Sequence, residues 1–269
     1  MEATRAILEP AVGRAHFTLE RLRPSADLAG HVERHWIVRW ELGDDGPFVQ
    51  RILPHPCVNL VAEPGRSAVW GIPLSVSEHR LERSGTTIGT KFRPGGFAAF
   101  LPGTSVSLLN DRVVPPRELF GAAGARLERD LAAAAGDPGA HIAAVESFLL
   151  ARRPRVDRRQ ALVQAVVADM LETEPSTTVA TLARRHVVSE RTLQRAFRDA
   201  VGVGPKWVLK RYRMHVAAER IAAGEAEDVA ALALDLGYFD QSHFTRDFTA
   251  QIGLAPGAYA RACAAAARV

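Results

Sequence analysis

Arg191, Gln194 and Arg195 fall within five residues, and Gln241, Ser242, His243, Thr245 and Arg246 within six. A guanidinium can meet O6 and N7 of guanine through two parallel donors, and a glutamine amide can meet N6 and N7 of adenine. Serine, threonine and histidine add donors for base edges or phosphates. These residue types suit reading a nucleic-acid groove rather than breaking a bond. No Ser/His/Asp set, phosphate loop or paired-carboxylate spacing stands out elsewhere, so no catalytic residue is assigned.

Both clusters need a helix to hold them. In Ser189–Gly202, SERTLQRAFRDAVG, the serine is a good N-cap and the glycine suits a left-handed C′ position. Leu193, Ala196, Phe197, Ala200 and Val201 recur three and four apart and form one apolar face. Val179–His186 is a second short amphipathic pattern just upstream. Two short helices across a tight turn, with Arg and Gln on the open face of the second, make a helix-turn-helix pattern.

The pattern then repeats. Leu232-Ala233 echoes Leu182-Ala183, and Phe244, Arg246, Phe248, Gly253 and Pro256 echo Leu193, Arg195, Phe197, Gly202 and Pro205. The offset grows from 50 to 51, so one residue is inserted in the second turn. Pro205–Ala223 reads as a connecting helix about 28 Å long at about 1.5 Å per residue, close to the roughly 34 Å between successive major-groove faces. Asp240–Gln251 is then the second recognition helix, with Leu193, Phe197, Phe244 and Phe248 in the core. Arg195 and Arg246 read either as groove contacts or as surface charge paired with Asp199 or Asp247.

On these residues the sequence resembles the AraC/XylS-type transcription regulators. The likeness rests on LARRHVVSERTLQRAFRDAVGVGP, RYRMHVAAERI and DVAALALDLGYFDQSHFTRDFTAQIGLAPGAY, within residues 158–262. It implies a C-terminal double helix-turn-helix domain. It also implies an N-terminal cupin-like β domain, with helices between for dimerisation. LPHPCVNLVAEPGRS and KFRPGGFAAFL look like the sensor domain of one subgroup and bring no known ligand residues.

The remaining chain fits that division. With 269 residues there is room for two domains; 47% hydrophobic and 24% charged residues are ordinary for globular protein, and a net charge of +4 permits nucleic-acid binding without demanding it. Cys57 and Cys263 lie far apart, which suits a reduced cytoplasmic protein, and two cysteines exclude a four-cysteine zinc site. No apolar run approaches about 18 residues and MEATRAILEPAVGR lacks a signal-peptide core, so no membrane association is expected.

Strand-like runs at His31–Leu42, Val49–Leu53, Val58–Ala62, Ala68–Gly71, Thr86–Phe92 and Phe97–Leu101, punctuated by Pro and Gly, suggest a barrel or sandwich. Helices are expected at Glu118–Gly121, Ala125–Ala135 and Ala140–Ala151, and the charged RRPRVDRR reads as a linker. The expected division is 1–151 (β-rich, helices at 117–151), linker 152–159, and reader 160–269. The fold class is α+β.

His31 and His35, about 13 Å apart on one strand at about 3.3 Å per residue, cannot chelate one ion alone. His55, Cys57 and His79 offer further ligands but read equally as turn and core residues, and no metal or cofactor is assigned. His35, Trp36, His55, Trp70 and Arg93 are the candidate ligand-binding residues; Trp36, Trp40 and Trp70 line a pocket or pack the core, and Arg93 meets an anion or stays in a solvated turn. Leu127, Leu131, Ala134 and Ala135, and likewise Val145, Phe148 and Leu149, follow three-four spacing and suit a homodimer face or packing on the β domain.

Charge separates the two readers. Arg184–Arg220 holds ten Lys or Arg and three acids, a net +7; Ile221–Val269 holds three Arg and six acids, a net −3. Part of the excess, Lys206, Lys210, Arg211 and Arg213, lies on the connecting helix, where solvent is one destination. The expected function is a bacterial, nucleoid-associated transcription regulator, activator or repressor, that binds double-stranded DNA and RNA polymerase under control of a small effector. Two alternatives remain: a cupin-like metalloenzyme with an appended reader, and a regulator that needs no ligand.

Overall fold

A computed structural model describes residues 6–43, 46–172, 177–226 and 228–266. Residues 1–5 of the N-terminal stretch, and Glu227 and Arg268 of the charge count, lie outside the described residues. After helix α1 (Pro10–His16) come β1 (Phe17–Leu22), β2 (Val32–Glu41), β3 (Phe48–Ile52), β4 (Asn59–Glu63), β5 (Arg66–Trp70), β6 (Ser77–Leu81), β7 (Ser84–Phe92) and β8 (Val113–Val114). They form two antiparallel sheets, one ordered β1-β2-β7-β4-β5-β8 and one pairing β3 with β6. A cavity separates them, lined from both. This is the sandwich form of the expectation.

The strand expected at Phe97–Leu101 is instead a 3₁₀ turn, Gly96–Phe100. Gly95 at φ 78 turns the chain, and Phe97 and Phe100 then pack edge-to-face on Phe92 rather than alternating across a sheet. Strands β1, β6 and β8 were not expected; β1 and β6 carry so many charged residues that their alternation is masked.

Helices α2 (Pro116–Ala133) and α3 (Pro138–Leu150) follow, the second capped by Asp137, whose carboxylate accepts from the Gly139 and Ala140 amides. Leu127, Leu131, Val145 and Leu149 are buried with Val32, Leu60, Val69 and Phe92 in one core. Leu127, Leu131, Val145 and Leu149, with Phe148 packed against the same core, therefore cover their own sheet rather than wait for a partner, while Ala134 is half-buried and Ala135 exposed.

The all-helical half contains α4 (Arg158–Glu172), α5 (Val179–Arg185), α6 (Glu190–Ala200), α7 (Pro205–Ala222), α8 (Val229–Asp235), α9 (Gln241–Ile252) and α10 (Pro256–Ala266). Two cores serve it, and each takes side chains from the β half. Ile72 joins Val163, Leu182, Leu193 and Phe197. Leu8 and Leu53 join Met214, Leu232, Phe244 and Phe248.

Candidate nucleic-acid interface and β-domain cavity

The two helix-turn-helix units are built alike. Ser189 Oγ accepts from the Thr192 amide at 3.1 Å, and Asp240 Oδ1 from the His243 amide at 2.7 Å, so each recognition helix starts on a side-chain cap. The turn residue Val187 has φ 54 and its counterpart Gly237 φ 73. The residue inserted in the second turn is Phe239, which is 89% exposed.

Along α6, Leu193, Ala196, Phe197 and Ala200 are buried while Arg191, Gln194, Arg195 and Arg198 are exposed. Along α9, Phe244, Phe248 and Ile252 are buried, Gln241, Ser242, His243 and Arg246 are exposed, and Thr245 is half-buried. Gln241, Ser242, Thr245 and Arg246 share one shallow concavity on α9. The structure thus gathers the eight predicted groove residues on the outer faces of the two recognition helices.

The acids that could have neutralised Arg195 and Arg246 are engaged elsewhere. Asp199 pairs with Arg159 at 3.6 Å. Asp247 pairs with Lys210 at 2.7 Å and lies 3.8 Å from His243. Among the described residues no ion pair involves Arg191, Arg195, Arg198 or Arg246. In the second unit burial, then Asp247, hold the Tyr238 phenol well above its ordinary range, and Tyr238 packs edge-on against His243 and Phe244.

One expectation about the connecting helix is corrected. Arg211 is fully buried, not solvent-facing. Its guanidinium donates to Leu74 O at 2.7 Å and Pro54 O at 3.4 Å and stacks over Trp207 with 4.3 Å to the ring centroid. Burial brings its pKa down to about 10. Beside it His215 stacks on His55 at 4.2 Å. At the flanks, Asn110 Nδ2 donates to Gly202 O at 2.9 Å behind α6, and an Arg51 guanidinium nitrogen donates to Ile252 O behind α9. The β half therefore grips both units and the helix between them, a role for Arg211 that no local spacing could reveal.

The cavity between the sheets measures about 890 Å³ and is lined by Trp36, Trp40, Trp70, His55 and His79 among others. His35 and Arg93 are not brought to it. His35 lies on the opposite face of β2, with Nδ1 against Thr90 Oγ1 at 2.9 Å and Nε2 against Glu146 Oε1 at 3.0 Å. Arg93 Nε donates to Ala29 O at 2.7 Å. Burial lowers the His79 pKa and pushes the Cys57 thiol up to about 12. Among the described residues no three His, Cys, Asp or Glu come together to hold a metal ion.

Residues 182–262 match a family described as a helix-turn-helix domain, and residues 20–115 match a domain of unknown function (DUF6597). A Streptomyces lividans protein described as an AraC-like transcription regulator is 36% identical over 99 residues, which are 36% of this chain and 32% of that protein. The RCS-specific HTH-type transcriptional activator RclR of Escherichia coli (strain K12) is 33% identical over 96 residues, 35% of this chain and 34% of its own. The chain spans about a third of the length of these curated relatives. The C-terminal domain of AraT, a response regulator from Geobacillus stearothermophilus, aligns at 24% identity over 39% of this chain and 88% of that one, with a TM-score of 0.37.

Proposed function

Because residues 182–262 form a helix-turn-helix domain of the kind found in AraC-like regulators, we propose that this chain is a DNA-binding transcription regulator controlled by a small effector held in its β domain. One observation carries the reading. Two recognition helices, joined through a connecting helix of 18 residues, present Arg191, Gln194 and Arg195 on one and Gln241, Ser242, His243, Thr245 and Arg246 on the other, to solvent and away from their cores. Their donors match purine edges, and among the described residues no acid forms an ion pair with their arginines.

The sandwich cavity supports an effector over a regulator that needs none, since about 890 Å³ is within the range of small-molecule sites. No catalytic step belongs to the proposal, and a metalloenzyme would need three converging ligands. The proposed division is a sensor over 1–151, a junction over 152–159 and a reader over 160–269. RNA polymerase is the partner of the DNA-bound form, and the site of action is the cytoplasm. No described helix is long and apolar enough to cross a membrane. The proposal includes a homodimer. A sedimenting monomer at micromolar concentration would exclude that assembly.

The test is selection of bound fragments from genomic DNA by the purified chain, followed by titration at fixed salt. Enrichment of a shared sequence element is the expected result. Binding that is equal for all fragments would overturn sequence-specific regulation.

A further inference from the structure

The side chains that one face of the large sheet turns into the cavity are ordered by charge. Along β2 they run Arg34, Trp36, Val38, Trp40, and the partner strand β7 places Lys91 opposite Arg34, Gly89 opposite Trp36 and Gly85 opposite Trp40. Both glycines sit under an indole. A Cβ on Gly89 would come within 2.1 Å of the Trp36 ring, and one on Gly85 within 2.3 Å of Trp40. The two rings therefore lie flat on the sheet, four residues and about 13 Å apart at about 3.3 Å per residue.

Their polar edges are already used: Trp36 Nε1 donates to Asn59 Oδ1 at 3.3 Å and Trp40 Nε1 to Glu82 O at 3.1 Å. What remains for a ligand is two π faces in line, which favour offset stacking with another planar ring system.

The Arg34 end of this floor is cationic. Lys91 is buried, at 8% exposure, and its Nζ lies 3.0 Å from Glu33, and Arg34 lies 2.8 Å from the same carboxylate. Two cations share one anion there, because the irregularity between Val32 and Arg34 brings Glu33 beside both. Further along the cavity wall Arg66 pairs with Glu63 and Arg80 with Glu82, each at 2.6 Å, and Arg21, Glu78 and Arg83 also line it. A buried, incompletely neutralised ammonium at one end calls for an anionic group on what fills the site.

We propose that the cavity binds an extended planar aromatic anion of two or three fused rings, stacked along Trp36 and Trp40 with its carboxylate at Lys91 and Arg34. The proposal rests on the effector reading only for its consequence, not for its geometry.

The test is calorimetric titration of the full chain with benzoate, 2-naphthoate and anthracene-2-carboxylate, with the uncharged 2-naphthamide, and with decanoate and glucose. Affinity is expected to rise through the three aryl acids, and the amide to bind at least tenfold more weakly than 2-naphthoate. Trp36→Leu should cost at least tenfold for the aryl acids. Lys91→Met should bring acid and amide to within about twofold of each other; Lys91→Gln gives the same readout if the first variant folds poorly. Failure of all three aryl acids to bind, equal binding of acid and amide to the unaltered chain, or tighter binding of decanoate or glucose would each overturn the proposal. Titration of bound operator separates the two ideas. If anthracene-2-carboxylate binds but leaves DNA affinity unchanged, the ligand class stands and effector control falls. If decanoate or glucose shifts DNA affinity while the aryl acids do not bind, the reverse holds.

Discussion

The two helix-turn-helix units differ more in what surrounds them than in how they are made. Both have a side-chain cap, a buried phenylalanine at the matched position (Phe197 and Phe248) and an exposed polar face. Around α6 the neighbouring arginines Arg184, Arg191 and Arg198 are exposed. Around α9, Asp247 is held between Lys210 and His243, and Asp235 pairs with Arg220. Phosphate neutralisation supplies most sequence-independent affinity, so under the proposed function the first unit is expected to anchor the DNA and the second to add a weaker, more selective contact. A repeated motif sets where side chains point; local charge is what differs between the two copies.

The comparison is tested most severely at its premise of equal scaffolds. Phe197 and Phe248 are both fully buried at matched positions. Phe197→Ala and Phe248→Ala should each lower stability by about 3–5 kcal/mol, measured by thermal or denaturant unfolding. A loss confined to one of them would mean that the two units are not equivalent cores.

The next effect concerns DNA. Arg195→Ala should weaken binding to the selected operator by about 1–3 kcal/mol and relax sequence preference. Arg246→Ala should cost less, because acids surround the second unit. Titrations of both variants at equal ionic strength, with salt slopes, decide it; an equal or larger loss for Arg246→Ala removes the anchor idea.

A smaller effect distinguishes the turns. Val187 holds φ 54, a conformation that a β-branched residue adopts with strain, where the second unit has glycine. Val187→Gly relieves strain of about 1–3 kcal/mol but makes the unfolded chain more flexible, by about 0.4–1 kcal/mol. A net gain of about 1 kcal/mol in unfolding free energy is expected. Destabilisation would mean that the isopropyl group makes contacts worth more than the strain.

The smallest effect sharpens the electrostatic account. Asp247→Asn removes a carboxylate from beneath the second reader and releases Lys210. Operator binding should tighten by about 0.2–1 kcal/mol, the range of a half-exposed ion pair, with a steeper salt dependence. Weaker binding would show that Asp247 positions α9 rather than opposing the DNA.

Much of this was legible because it is local. Ser189 is read as a cap from its position before an apolar period, and Leu193, Phe197, Phe244 and Phe248 as core from their spacing; that Asp240 caps the second helix comes from the structure. The inserted residue showed in the change of repeat offset, and the structure identifies it as Phe239. The alternation Arg34, Trp36, Val38, Trp40 already separates Trp36 from His35, since neighbouring strand residues point to opposite faces. Grouping those two in one ligand set overlooked that rule.

Other features needed the folded chain. Whether Phe97–Leu101 becomes a strand or a turn depends on what Phe92 offers it across the core. Leu127 and Val145 show an apolar face in the sequence, but only the sheet beneath them decides that it is covered within the chain. Arg211 carries the same charge in the sequence as Lys210 three bonds of backbone away; its burial follows from two carbonyls, of Pro54 and Leu74, more than 130 residues distant. Periodicity, caps and repeat length are properties of adjacent residues and are written in their order. Which face meets which, and which charge is lost to an interface, depends on contacts between residues far apart in the chain, and no local pattern encodes them.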